Sequence, residues 1–132
     1  MMSEIRVTTL KDTSGGNSST TADIYSGRAK AWVNFNGVST VAIRAQFNVS
    51  SITDNGTGNY TVNFTTAMPD ADYTFVTSNR IDAATTEGNN GYLNTFCSTN
   101  TAPTASALRL VTPGNVSNSL FDALVVTVAI FR

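Results

Sequence analysis

Few side chains in this sequence can do covalent chemistry. None of its 132 residues is histidine, which removes the commonest general base and metal ligand. The single cysteine, Cys97, has no imidazole to activate it and cannot form an intrachain disulfide; it is expected to fill a small apolar gap. Asp70 and Asp72 are spaced like a catalytic carboxylate pair, but Pro69-Asp70-Ala71-Asp72 is ordinary turn chemistry. Asp54-Asn55-Gly56 opens like a cation loop, yet it lacks the spaced carboxylates of a calcium site and reads as an Asx-type turn. The residue inventory therefore predicts no catalysis, no metal and no cofactor.

Binding chemistry has more candidates. Trp32 sits two residues from Asn34 in an alternating run, facing away from Val33, where an aromatic face could receive a sugar or pack at a subunit contact. Arg44 lies on the polar face of the next run and could pair with a carboxylate of a neighbouring chain. The longest polar loop, residues 81–91, carries Glu87, Asn89 and Asn90 and leads to Tyr92, a second aromatic candidate; this loop is the expected receptor site. Six Asn-x-Ser/Thr sequons occur, at Asn17, Asn48, Asn55, Asn59, Asn63 and Asn115, and a chain this rich in Asn, Ser and Thr produces them by frequency alone. Eight basic residues against nine acidic give a net charge of −1. With the basic residues scattered, nucleic acid is not an expected partner, because phosphate binding needs a clustered basic face. Membrane insertion is not expected either: the apolar runs are too short to span a bilayer, and no signal-type apolar stretch opens the chain.

The elements that must position these residues are β-type. Charged residues make up 13%, against about 25% in a typical globular domain. Thr (21), Ser (13) and Asn (14) fill the deficit, and these residues suit pleated strands and turns. Val41, Ile43, Ala45, Phe47 and Val49 alternate with polar residues and predict a single half-buried strand over 41–49. Ala31-Val33-Phe35 and Tyr60-Val62-Phe64 alternate in the same way. Asn36-Gly37 and Asp54-Asn55-Gly56 mark turns between the runs. Further strands are expected over 73–79, 92–98 and 106–112. Seven to eight short strands with regular turn signals predict an all-β antiparallel sandwich or jelly-roll-like domain over residues 28–132.

Residues 1–27 read differently. Ile5, Val7 and Leu10 lie in short extended pieces around a Gly15-Gly16 connector, and DIYSGR allows one helical turn. This is the pattern of an extended arm that binds a scaffold. The last run is apolar on both faces: Leu124, Val126, Val128 and Ile130 on one, Phe121, Ala123, Val125, Ala129 and Phe131 on the other. A strand apolar on both faces must be covered on both, so Leu124, Val126, Val128, Ile130 and Phe131, with Trp32 and Arg44, are the expected oligomer interface.

The wording of residues 28–73 adds a resemblance. GRAKAWVNFNG followed by VAIRAQFNVSSITDNGTGNYTVNFTTAMPDADY resembles a β-rich module found at the C-terminal end of bacteriophage tail-fibre and related virion proteins, especially from phages of marine and cyanobacterial hosts. The closing VVTVAIFR fits the same module. The resemblance implies a non-enzymatic, homotrimeric structural module. It would be made in the bacterial cytoplasm and displayed on the virion exterior, touching other virion proteins and host-surface carbohydrate. A short arm followed by this module also suits a capsid decoration protein, and a free carbohydrate-binding module is the third expectation.

Overall fold

The computed structural model describes residues 3–80, 95–98, 100–114 and 119–132. A hairpin of β1 (Thr9–Lys11) and β2 (Ser18–Thr20) precedes one short helix, α1 (Thr21–Gly27). Among the described residues eight strands follow: β3 (Ala31–Asn36), β4 (Ala42–Phe47), β5 (Val49–Asp54), β6 (Asn59–Phe64), β7 (Thr74–Arg80), β8 (Phe96–Cys97), β9 (Ala107–Val111) and β10 (Val125–Phe131). They build two four-stranded antiparallel sheets, a front sheet in the order β4-β3-β10-β7 and a back sheet in the order β5-β6-β9-β8. The all-β sandwich expected from the alternation is the fold observed.

The period of two decides what lies inside. Ala31, Val33 and Phe35 of β3 and Val126, Val128 and Ile130 of β10 point inward from the front sheet. Tyr60, Val62 and Phe64 of β6 and Leu108 and Leu110 of β9 meet them from the back sheet. Phe35 and Tyr60 touch edge to face across the layers, ring centroids 5.2 Å apart, and Phe64 and Tyr73 repeat the arrangement at 5.8 Å. Each large side chain so buried stabilises the fold by about 1.5–3 kcal/mol, which makes this core the main reason the sheets stay together.

One expectation needs correction. The strand over 41–49 is not one strand. Asn48 adopts the left-handed conformation, φ 55°, and the chain crosses there from the front sheet to the back sheet. Asn48 tolerates that backbone because its short amide reaches local partners: Nδ2 donates to the carbonyls of Lys30 (3.0 Å) and Thr66 (3.1 Å), and Oδ1 accepts from the Thr66 N–H (2.7 Å). All six residues of β4 remain exposed, since it is an edge strand whose register with β3 also slips between Asn34 and Phe35. Val49, by contrast, is buried in the back sheet.

The short extended pieces of the arm pair with each other as the β1–β2 hairpin, Thr9 opposite Thr20 and Lys11 opposite Ser18. Asp12 folds the Gly15-Gly16 connector into a turn by accepting from the Ser14 hydroxyl (2.9 Å), the Gly16 N–H (2.9 Å) and the Asn17 amide (2.8 Å). A capping box then starts α1: Thr20 Oγ1 accepts from the Asp23 N–H, and Asp23 Oδ2 accepts from the Thr20 N–H, each at 3.0 Å. None of the residues of β1, β2 or α1 is buried.

Candidate functional site

The register of the front sheet builds its outer face. Trp32 lies opposite Phe47 on β4 and opposite Ala129 on β10, and Ala129 lies opposite Val76 on β7. Cross-strand partners share a face, so Phe47, Trp32, Ala129 and Val76 form one apolar row across all four strands. Both ends and Trp32 beside one of them are open: Phe47 is 51%, Trp32 40% and Val76 59% exposed. The neighbouring row, Ala45, Asn34, Thr127 and Ser78, is small or polar, and the two rows enclose a shallow groove. The strip is apolar along all four strands and open to solvent at Phe47, Trp32 and Val76.

The sequence-predicted interface divides on this geometry. Val126, Val128 and Ile130 are 0%, 3% and 0% exposed; they are filled by the chain's own back sheet and are not available to a second subunit. Leu124 precedes β10 and is half-buried. Phe131 points outward beside Thr74 and is half-buried, and Trp32 stands in the open row. Arg44 has an intramolecular role: it donates to the Leu124 carbonyl (2.7 Å), with Asn36 Oδ1 at 3.4 Å, and so ties edge strand β4 to the approach of β10. Ile5, Val7 and Leu10 are exposed on the arm. Glu87, Asn89, Asn90 and Tyr92 lie outside the described residues.

The candidate chemical groups are structural. Asp54 Oδ1 accepts from the Gly56 N–H at 2.9 Å, an Asx turn. Asp70 makes the same turn with the Asp72 N–H (2.9 Å) and also receives the Arg132 guanidinium through both carboxylate oxygens, with Nε to Oδ1 at 2.8 Å. That bond to Arg132 holds the Asp70 carboxyl below its ordinary range. Burial pushes the Cys97 thiol up and leaves it a packed side chain. Burial, and then the charge of a Cys97 thiolate, pushes Tyr73 to about 12. Tyr60 is fully buried, and its hydroxyl lies 2.7 Å from Asp122 Oδ1 and 3.1 Å from the Gly37 carbonyl. Desolvation first, and the hydrogen bond to Asp122 second, keep this phenol protonated far into the alkaline range. Among the described residues no three His, Cys, Asp or Glu side chains converge as a metal site, and no helix is long and apolar enough to cross a membrane.

A second surface was not anticipated. At the end of the front sheet a cleft of about 430 Å³ opens between the segment after α1, the Asn48 crossover and the β6–β7 connection. Tyr25, Arg28 and Lys30 line one side, Phe47 and Asn48 another, and Arg132 closes it. Lys30 Nζ lies 3.5 Å from the centroid of the Tyr25 ring and donates to the Tyr25 carbonyl; the Arg28 guanidinium lies 5.1 Å from the same centroid.

No protein-family model, curated protein or solved structure matches this chain.

The two surfaces differ in how far the sequence foretold them. The period of two placed Trp32 opposite to Val33, so its outward position was readable. The cleft had only a weak signal, the closeness of Tyr25, Arg28 and Lys30. Phe47 and Arg132 join them solely through the fold.

Proposed function

We propose that this chain is a non-enzymatic structural module of a bacteriophage virion, of the tail-fibre type. It assembles with copies of itself as a homotrimer, and it serves attachment to host-surface carbohydrate. The observation that carries the reading is the open apolar row Phe47, Trp32, Ala129 and Val76 on the front sheet. A flat strip with aromatic residues at one end suits a protein–protein contact, where aromatic side chains are enriched. The wording of residues 28–73 supplies the phage setting by resemblance. The carboxylates, phenols and thiol described above are engaged in turns and packing, which supports a structural role and not a catalytic one.

One observation favours a second reading, a capsid decoration protein. The arm folds into a hairpin and a capped helix without burying any side chain, and Ile5 is 88% exposed. A segment of that kind gains its packing on something else, such as a shell. Immunogold labelling of intact particles separates the two. Gold at the fibre tips is the expected result. Gold spread over the shell replaces attachment with decoration, and purified particles that lack the chain refute both.

A further inference from the structure

The cleft beside Tyr25 holds more positive charge than the described residues balance. Arg28, Lys30 and Arg132 are three of the eight basic residues of the sequence. Asp70 neutralises Arg132. No carboxylate among the described residues comes within ion-pairing distance of Arg28 or Lys30. These two cations share one aromatic ring instead. Partial desolvation first and the nearby Arg28 second lower the Lys30 pKa. Two neighbouring cations at the mouth of a cleft lower their mutual repulsion by taking up an anion.

The rest of the lining says what kind of anion. Ala29, Met68 and Pro69 give the cleft an apolar floor, and Phe47 presents a half-exposed ring at its edge. A bare inorganic anion would leave those surfaces unused. The volume, about 430 Å³, falls in the range of small-molecule sites. The ligand that matches is compact and carries one acid group on a ring with an apolar face. A sugar acid has that form: its carboxylate can receive the forked donors of an arginine, and its C–H face can lie against an aromatic ring. Asn48 fixes the geometry, because its amide joins the Lys30 and Thr66 backbones and so holds two walls of the cleft together.

We infer that the cleft formed by Tyr25, Arg28, Lys30, Phe47 and Arg132 binds a carboxylate-bearing sugar, a hexuronate or a sialic acid. The cleft is complete within one chain, so the inference does not rest on the virion reading; Phe47 stands where the apolar row ends and the cleft begins.

The test is a titration of the full chain, followed by amide chemical shifts, with four probes: glucuronate, N-acetylneuraminate, glucose and sulfate. Saturable shifts at Arg28, Lys30 and Phe47 with one of the two acids, and weaker or no response to glucose, are expected; which acid binds tighter identifies the source. Arg28→Ala and Lys30→Ala should each weaken binding by about tenfold, the value of one hydrogen bond to a charged group. Arg80→Ala, on an exposed residue outside the cleft, should leave it unchanged. Phe47→Ala should weaken the sugar acid but not sulfate. If sulfate binds as tightly as both acids, the sugar is ruled out; if glucose does, the role of the cations is. Absence of saturable shifts with both acids overturns the site altogether.

Discussion

At the scale of single residues, the buried polar groups of the sandwich act as pins. Tyr60 reaches from the back sheet to Asp122, whose Oδ1 also accepts from the Gly58 N–H at 2.7 Å. Gly58 has φ +59°, and a side chain there would meet the Phe121 carbonyl at 2.6 Å, so only glycine lets the turn close under Asp122. Tyr60→Phe keeps the ring and its contact with Phe35 but removes the donor. It should cost about 1–3 kcal/mol, read as a lower urea midpoint with an unchanged m-value. A second residue-scale prediction concerns acid. Asp70 is held below its ordinary value of 3.8, chiefly by the hydrogen bond from Arg132. A depressed carboxylate contributes stability that is complete above the unfolded value and fades as pH falls through the folded one. Wild-type protein should therefore melt above Asp70→Asn at neutral pH, with the gap closing as pH drops below 3.8. A gap that stays constant down to that range removes the carboxylate–guanidinium pair as its cause.

At the scale of elements, the sheets were legible in the sequence and the crossing between them was not. The alternation at Ala31-Val33-Phe35 and Tyr60-Val62-Phe64 names core residues correctly, because in a strand the period fixes the face. The same alternation ran through Val41–Val49 and implied one strand. Nothing in a period of two shows that Asn48 leaves the extended region, since its side chain occupies an ordinary polar position in the pattern. In the arm, Gly15-Gly16 signals flexibility by composition, whereas the local Asp12 hydrogen bonds fold the connector into a turn. The crossover makes a sharp prediction. Asn48→Gly accepts φ 55° but loses the three amide hydrogen bonds. Asn48→Ala loses them and is strained as well. Both variants should be destabilised, with Ala lower than Gly by about 1 kcal/mol, the cost of a left-handed conformation for a residue with a Cβ. Equal melting temperatures for the pair would mean the backbone relaxes at residue 48 and the conformation is not imposed by the sandwich.

At the scale of the whole molecule, the terminal strand is apolar on both faces in sequence, and the sandwich uses one of those faces for its own core. Val126, Val128 and Ile130 were indistinguishable in sequence from a surface awaiting a second chain; their own back sheet covers them. Which face of β10 turns inward depends on where β6 and β9 pack, and no local pattern contains that. What remains open is the other face, where Ala129 joins Trp32, Phe47 and Val76. If this row is the subunit contact, a charge placed in its middle should separate the subunits without unfolding them, because Val76 is 59% exposed and contributes little to the core. Val76→Lys or Trp32→Glu should convert an oligomer into a monomer in light scattering at micromolar concentration, with the circular dichroism of the β-sandwich retained. Val128→Lys is the contrast, since a lysine there would be buried without a partner, and it should abolish folding itself. A wild-type chain that is already monomeric under these conditions, or one whose mass ignores both outer substitutions, would show that the row is not where copies meet.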